Sequence, residues 1–223
     1  MLLALDTATR KIGIALYDGT QVLHEAVWQS PFRHTVELTP AIQQALERTD
    51  TDMGDVKAIG LTLGPGSYTG LRIGAAAAKG LALARNIPLI AVSTFEVAAF
   101  AVPVNAEYRL ATVLEAGRGR LAVGWFAAED NAWQTDGEPD LVTPMEFAKK
   151  IKQPTLVVGE LNEEALKVLG RKRKNVEIAS PANSLRRPAF LAELAWQRWQ
   201  AGDVDDPETL APVYLQTNEK IPS

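Results

Sequence analysis

Short apolar runs alternate with amphipathic stretches along the chain, and this pattern predicts an α/β fold. The first half opens with three strands joined by turns, one of which carries the hairpin signal Asp18-Gly19. Residues 34–48 then repeat apolar side chains at helical spacing, although Thr39-Pro40 offers an alternative helix start. In this half we predict strands at residues 2–5, 12–17, 21–28, 58–63 and 88–92, and helices at residues 34–48, 71–85 and 94–100.

The second half repeats this pattern more loosely. The hairpin turn Glu115-Ala-Gly-Arg-Gly-Arg120 stands where the first half has the turn around Asp6, and Thr143 to Glu146 forms a capping box. A tail at residues 211–215 is expected to be extended and anchored by Tyr214. Here we predict strands at residues 110–114, 121–126 and 155–158, and helices at residues 144–151, 163–169 and 188–200.

The order β-β-β-α-β-α-β-α is that of the ribonuclease H-like fold, which actin-like ATPases and sugar kinases also use. Pro103 marks a boundary, because a new series of strands begins after it. We therefore expect a first domain at residues 1–103 and a second at residues 104–223, with the helix at 188–201 free to pack back on the first.

The segment Gly64-Pro-Gly-Ser-Tyr-Thr-Gly-Leu-Arg-Ile-Gly74 lies between a buried strand and an alanine-rich helix. Its spacing excludes a dinucleotide fingerprint and a Walker loop, since Thr69 displaces the third glycine and no Lys-Ser/Thr pair follows. Ser67 or Thr69 could cap the helix, which is the simpler interpretation, or the loop could hold an anion at the helix N-terminus.

Asp6 ends the first strand, at the edge where open sheets bind ligands, but it could equally be a turn former bonded to its own loop. The candidate site for a weakly bound nucleotide or anion consists of Asp6, Thr7, Thr9, Gly64, Gly66, Ser67 and Thr69.

Composition excludes several kinds of chemistry. There is no cysteine, and the two histidines, His24 and His34, do not form a pair on one helix face, so we expect no metal site and no thiol catalysis. The net charge is −4, and the only dense basic run, residues 171–174, is either a solvated loop or a contact to tRNA. The N-terminal residues lack a signal-peptide pattern and no stretch is long enough to span a membrane, so we expect a soluble, cytoplasmic protein.

Four segments together resemble the TsaB (YeaZ) family of threonylcarbamoyladenosine-biosynthesis proteins, which belongs to a wider group that carries M22 glycoprotease-like labels. The resemblance covers the first hundred residues well and the second half thinly. The segments are Leu5-Asp6-Thr7-Ala8-Thr9, His34-Thr-Val-Glu-Leu38 with Pro40, Gly64 through Gly74, and Pro212-Val-Tyr-Leu215.

The resemblance implies two ribonuclease H-like (actin-like ATPase, ASKHA) halves, the second shorter and degenerate. It implies a non-catalytic partner of the paralogous transferase TsaD that works with the ATPase TsaE, and that pairs with itself when the transferase is absent. Together these proteins would transfer a threonylcarbamoyl group to the adenosine 3′ of the tRNA anticodon. Weak ATP or ADP binding is compatible with this role, and the metal is expected in the transferase, not here.

Three segments depart from the patterns of the group. Thr94 and Ala98 stand where the transferase has two metal-binding histidines, which agrees with the absence of a catalytic site. Glu115-Ala116-Gly117 replaces the usual Asp-Ala-Arg, and Tyr214-Leu-Gln replaces Tyr-Leu-Arg, so a site in the second half is in doubt.

We expect the function to lie in a protein interface on two helices of the first half. Leu71, Ala75 and Ala82 would cover the sheet, leaving a neighbouring small-residue face for a partner helix; ordinary packing is the alternative. The expected interface residues are His34, Leu38, Ile42, Gly70, Gly74, Ala77, Ala78 and Leu81.

A different class of function is a stand-alone ASKHA-type ATPase or phosphotransferase. It would need a second phosphate loop and an adenosine pocket in the second half, for which Gly117 and Gly119 are the only candidates.

Overall fold

The computed structural model describes residues 1–31, 33–172 and 174–215. Its strands are β1 (Leu2–Asp6), β2 (Lys11–Tyr17), β3 (Val22–Gln29), β4 (Ala58–Gly64), β5 (Leu89–Ser93), β6 (Arg109–Glu115), β7 (Leu121–Glu129), β8 (Ala132–Thr135), β9 (Asp140–Val142), β10 (Thr155–Gly159) and β11 (Val176–Ile178). Its helices are α1 (His34–Arg48), α2 (Tyr68–Arg85), α3 (Thr94–Phe100), α4 (Pro144–Lys150), α5 (Glu163–Leu169) and α6 (Pro188–Gln200).

The chain divides into two compact units. The first contains Met1–Val97 and Arg187–Val213, and the second contains Ala98–Arg186 with residues 214–215 of the described tail. The division falls inside α3, before the boundary expected at Pro103. Within the second unit, Trp133 donates its indole N–H to the carbonyl of Val102 at 2.9 Å. The C-terminal helix α6 packs on β1, β2 and β4 of the first unit.

The first unit is a five-stranded sheet in the order β3-β2-β1-β4-β5, with β1, β4 and β5 parallel and β2 antiparallel to its neighbours. All five residues of β1 are buried, because α1 and α2 cover one face of the sheet and α6 covers the other. At Gly60 a Cβ would lie 2.6 Å from Ala195 Cβ, so glycine allows α6 to approach the sheet closely.

The second unit has a six-stranded sheet in the order β11-β10-β6-β7-β8, with β9 paired to β7. Read as β8-β7-β6-β10-β11, it repeats the strand order of the first sheet, with β6, β10 and β11 parallel and β7 antiparallel. The outer strands of this copy are shorter than those of the first sheet, since β11 has three residues and β8 four. The predicted pair of ribonuclease H-like halves, the second degenerate, is confirmed.

The predicted caps of the second unit are confirmed as well. Thr143 and Glu146 form the capping box of α4, and the Asn162 side chain accepts the Ala165 N–H at 2.8 Å at the start of α5. In the first unit, α1 is continuous from His34 and contains Pro40 in its interior, so the alternative start at Thr39-Pro40 is wrong.

Residues 203–213, here called the C-terminal strap, are bonded to the first unit along their length. Asp205 N donates to Leu89 O at 2.8 Å, and Val213 N donates to Leu63 O at 2.9 Å. Lys79 Nζ donates to the carbonyl of Leu210 at 2.8 Å. Val213 therefore ties the tail to β4. Anchoring by Tyr214 stays a prediction, and Gln216 of the Tyr-Leu-Gln segment lies outside the described residues.

Among the described residues, no helix combines the length and the apolar character that crossing a membrane requires.

Candidate functional site

The Asp6 turn and the glycine-rich loop lie side by side at the carboxyl edge of the first sheet. Asp6 ends β1 and Gly64 ends β4, and these strands are parallel neighbours with Leu5 opposite Leu61. This is the edge at which open parallel sheets bind ligands. The structure therefore brings together the two segments that were predicted from the sequence to form a nucleotide or anion site.

Asp6 is buried and bonded to its own unit. Its Oδ1 accepts the hydroxyl of Thr62 at 2.9 Å and the backbone N–H of Ala8 at 3.0 Å. The second of these bonds closes an Asx turn, which is the structural alternative that the sequence left open. The carboxylate stabilises the turn and joins it to β4.

The loop that follows β4 begins α2 through Ser67. The Ser67 hydroxyl accepts the N–H of Gly70 at 3.3 Å, so Ser67 is the N-cap and Thr69 lies in the first turn. Ser67 N in turn donates to the carbonyl of Ala8 at 2.6 Å. A backbone amide that an anion could have used is thus bonded to the Asp6 turn.

The glycines of this segment make room for the Asp6 turn. A Cβ at Gly66 would lie less than 3.0 Å from Ala8 O, and a Cβ at Gly70 or Gly74 would lie equally close to Thr7 O or Thr7 Oγ1. Thr7 Oγ1 also donates to the carbonyl of Gly70 at 2.8 Å. The spacing of these glycines therefore follows from close packing of α2 on the turn.

Gly64 has a different reason to be glycine. Its φ is +123°, a conformation that L side chains rarely adopt, and the carbonyl of Val213 in the C-terminal strap lies where a Cβ would be. The strap thus covers the end of β4.

His34 fastens α1 to the same turn. Its Nε2 lies 2.9 Å from the carbonyl of Thr9, and the ring is buried. Thr9 Oγ1 accepts the N–H of Lys11 at 3.4 Å. His34 therefore joins the first helix to the Asp6 turn, a contact that helical periodicity could not reveal.

The buried polar groups of the candidate nucleotide or anion site are consequently engaged inside the chain, while Gly66, Ser67 and Thr69 are exposed. Anion binding stays a prediction, and in this conformation it is confined to that exposed end of the loop. Within residues 1–31, 33–172 and 174–215, no cluster of three or more histidine, aspartate or glutamate side chains is arranged to hold a metal ion.

The expected interface needs a correction. Leu38, Ile42 and Ala78 are 2%, 6% and 0% exposed and belong to the core under α1 and α2. His34, Gly70 and Gly74 are buried against the Asp6 turn, and Ala77 and Leu81 are half-buried on the same core. Helical spacing identified a face of small residues, but most of that face is buried, since Gly70 and Gly74 pack on Thr7 and Ala78 lies in the core.

The surface of α2 lies on a neighbouring face, here called the outer stripe. It consists of Tyr68, Arg72, Ala76, Gly80 and Leu83, which follow one another at i+4 or i+3 spacing and are exposed. Tyr68 is 56% and Leu83 61% exposed, and the Arg72 guanidinium lies 4.1 Å from the centre of the Tyr68 ring. Small residues in the middle and large apolar ones at the ends make this a face that another helix could approach.

Electrostatics near α1 are local. Trp28 Nε1 donates to Glu37 Oε2 at 2.9 Å, and this hydrogen bond is the main reason that the pKa of Glu37 is lowered. Burial, followed by the charge of Arg48, lowers the pKa of His24 on β3. In the folded chain, Glu37 therefore favours its charged form and His24 its neutral form.

The corresponding turn of the second unit is an exposed hairpin. Gly117, Arg118 and Gly119 all have positive φ, at 72°, 49° and 70°, and Ala116 N donates to Arg120 O at 3.0 Å. Thr94 and Ala98 are buried in α3.

Comparison with known proteins gives consistent matches. A family model described as TsaD, tRNA N6-adenosine threonylcarbamoyltransferase, matches residues 30–165. The tRNA threonylcarbamoyladenosine biosynthesis protein TsaB of Escherichia coli (strain K12) is 30% identical over 99% of this chain and 98% of its own length. The protein of the same name from Bacillus subtilis (strain 168) is 32% identical over 98% of this chain and 95% of its own. The solved structure of YeaZ from Pseudomonas aeruginosa superposes with a TM-score of 0.76 at 24% identity, covering 96% of this chain and 99% of that one, which bears on the fold alone.

Proposed function

Because the chain belongs to the TsaB family of tRNA threonylcarbamoyladenosine biosynthesis proteins, we propose that it is the non-catalytic scaffold or activator subunit of the complex that makes this nucleoside. Its partners are the transferase TsaD and the ATPase TsaE, and it pairs with a second copy of itself when TsaD is absent. The complex works on tRNA in the cytoplasm.

The observation that carries this proposal is the internal use of the Asp6 turn and the glycine-rich loop. A phosphotransferase of this fold would direct a carboxylate at Mg²⁺ and free loop amides at phosphates. Here Asp6 accepts bonds from Thr62 and Ala8, and the Ser67 amide is bonded to Ala8. These groups hold α2 in place, as a subunit that presents a rigid surface requires.

The outer stripe of α2 is the surface that we assign to the transferase. Its exposed tyrosine and leucine, with Val36 of α1 at 60% exposure, supply apolar area, and Ala76 and Gly80 leave space for a second helix. This assignment replaces the buried small-residue face.

The test is copurification with TsaD, together with measurement of the modified adenosine in a strain depleted of this chain. Ala76→Arg is expected to weaken pairing at least tenfold and to lower the modification, because a long cation blocks the stripe. Ala106→Arg, at an exposed alanine of the second unit, is the matched control and is expected to behave as the wild type.

Normal modification in the depleted strain would refute the proposal. So would ATP turnover by the isolated chain that partners leave unchanged, which would favour the stand-alone ATPase instead.

A further inference from the structure

Basic side chains gather at the edge of the second sheet where β6, β10 and β11 begin. Arg109 opens β6, Lys152 precedes β10 and Lys174 precedes β11. The Asn175 carbonyl accepts Thr155 N at 2.9 Å, and Asn175 Nδ2 donates to the carbonyl of Lys152 at 3.3 Å. The turn carrying Lys174 is therefore tied directly to the Lys152 segment. We call Arg109, Lys150, Lys152, Lys172 and Lys174 the basic edge.

A cavity of about 310 Å³ opens at this edge. Ligand pockets usually measure about 300–1,000 Å³, so this one suits a single small group such as one nucleotide. Its walls carry three cationic side chains and one carboxylate, together with an indole. The charged and aromatic residues of the wall are Arg109, Trp125, Asp136, Lys150 and Lys152.

The guanidinium of Arg109 is held over the Trp125 ring in the wall of the cavity. Its Cζ lies 4.2 Å from the centre of the Trp125 ring, and Asp136 Oδ2 lies 2.6 Å from Nε. Trp125 is itself fixed, because its Nε1 donates to Asp140 Oδ2 at 2.8 Å. A planar cation fixed on an aromatic ring is a surface on which a nucleobase can stack.

The exposed lysines retain unneutralised charge. Asp136 and Asp140 form ion pairs with Arg109 and Lys150. Among the described residues, Lys152 and Lys174 have neither a side-chain hydrogen bond nor an ion pair. The whole chain carries −4, so this edge differs locally from its average charge. Arg173 of the basic run lies outside the described residues.

We propose that the basic edge contacts RNA: the exposed lysines bind backbone phosphates, and one unstacked nucleotide enters the cavity against the Arg109 guanidinium. This inference rests on the proposed function, in which the substrate of the complex is a tRNA. A stacked guanidinium beside free lysines favours RNA over an acidic peptide. A carboxylate binds the edge of a guanidinium, which Asp136 already engages through Nε and Nη2, whereas a nucleobase stacks on its face.

Fluorescence anisotropy of the TsaD complex with a labelled tRNA transcript, between 50 and 200 mM KCl, tests the charges. The variant combines Lys152→Glu with Lys174→Glu. Because it loses two phosphate contacts, we expect the slope of log K against log salt to become shallower by about 1.4–1.8. Arg118→Glu, an exposed arginine at the opposite edge of the same sheet, is the control and is expected to keep the wild-type affinity within twofold.

Arg109→Lys tests the cavity, because it keeps the positive charge and removes the planar guanidinium on which a base would stack. We expect tRNA affinity to fall about tenfold with an unchanged salt slope. Thermal melts accompany each variant; if Arg109→Lys does not fold, the lysine pair decides alone.

Wild-type salt slopes and affinities in the lysine pair would overturn the inference. Loss of TsaD pairing with tRNA affinity retained would also overturn it, since the edge would then be a protein contact. Failure of the wild-type chain to pair with TsaD would contradict the proposed function and not this inference. In that case the same salt titration, done with the chain alone, tests whether the basic edge binds RNA.

Discussion

The packing of Gly74 on Thr7 predicts opposite effects for the same substitution at two positions of α2. A Cβ at Gly74 would lie less than 3.0 Å from Thr7 Oγ1 and 3.3 Å from Thr7 Cβ, whereas a Cβ at Gly80 meets nothing within 4 Å. Gly74→Ala should therefore destabilise the chain, and Gly80→Ala should stabilise it.

The magnitudes follow from the contacts. In a helix, alanine is favoured over glycine by about 0.8–1 kcal/mol, which is the expected gain at Gly80. At Gly74 that gain is offset by overpacking of about 1–3 kcal/mol. Displacing the buried Thr7 hydroxyl from Gly70 O costs a further 1–3 kcal/mol or so. We expect a net loss of about 1–5 kcal/mol for Gly74→Ala.

Urea unfolding followed by circular dichroism at 222 nm measures both effects. Thr7→Ala adds a double-mutant cycle: if Thr7 is the obstacle, Gly74→Ala should cost less in the Thr7→Ala background, with a coupling energy of about 0.5–3 kcal/mol. A Gly74→Ala variant within experimental error of the wild type, or an additive cycle, would refute this packing argument.

Other substitutions test the assignments made above. Ala78→Arg should unfold the first unit, since its side chain is 0% exposed, whereas Ala76→Arg should leave the far-ultraviolet spectrum unchanged; two folded variants would contradict the burial of Ala78. Asp6→Ala should lower the unfolding free energy by about 2–3 kcal/mol because Thr62 Oγ1 and a backbone N–H lose their acceptor, and unchanged stability would exclude this structural role. The pKa of Asp18 is lowered to about 2, chiefly by hydrogen bonds from its own turn, so the folded chain binds fewer protons than the unfolded one and this stabilisation is lost as pH falls from about 4 to 2. A carboxyl titration by NMR with a midpoint near 4 would contradict it.

The sequence predicted the order and kind of most elements because their signals are local. The bounds of α1 agree with the prediction, and the predicted caps at Thr143 and Asn162 are confirmed. The short strands β8, β9 and β11 were not predicted, because three or four residues carry little pattern. In addition, β9 and β11 take their place from pairing with strands that are distant in sequence.

For the site at the Asp6 turn and α2, the sequence identified the residues involved but not how they pack. Hydrophobic spacing cannot tell which of two neighbouring small-residue faces of a helix is buried. On α2 this is decided by Thr7, which is far away in sequence and fits only against Gly70 and Gly74. The contact of His34 with the carbonyl of Thr9 is likewise a tertiary bond with no local signal.

The position of α6 also sets an order of events during synthesis of the chain. The first unit needs Arg187–Val213, so its β1–β5 sheet leaves the ribosome without the helix that buries Leu2, Ala4 and Ile90. At about 5–20 residues per second, the interval between Val97 and the end of α6 lasts roughly 5–20 seconds. Ala98–Arg186, by contrast, is one continuous segment that is complete before α6 exists. A nascent chain therefore completes the main segment of its second unit before its first unit, and during that interval one apolar face of the first sheet is open to chaperones.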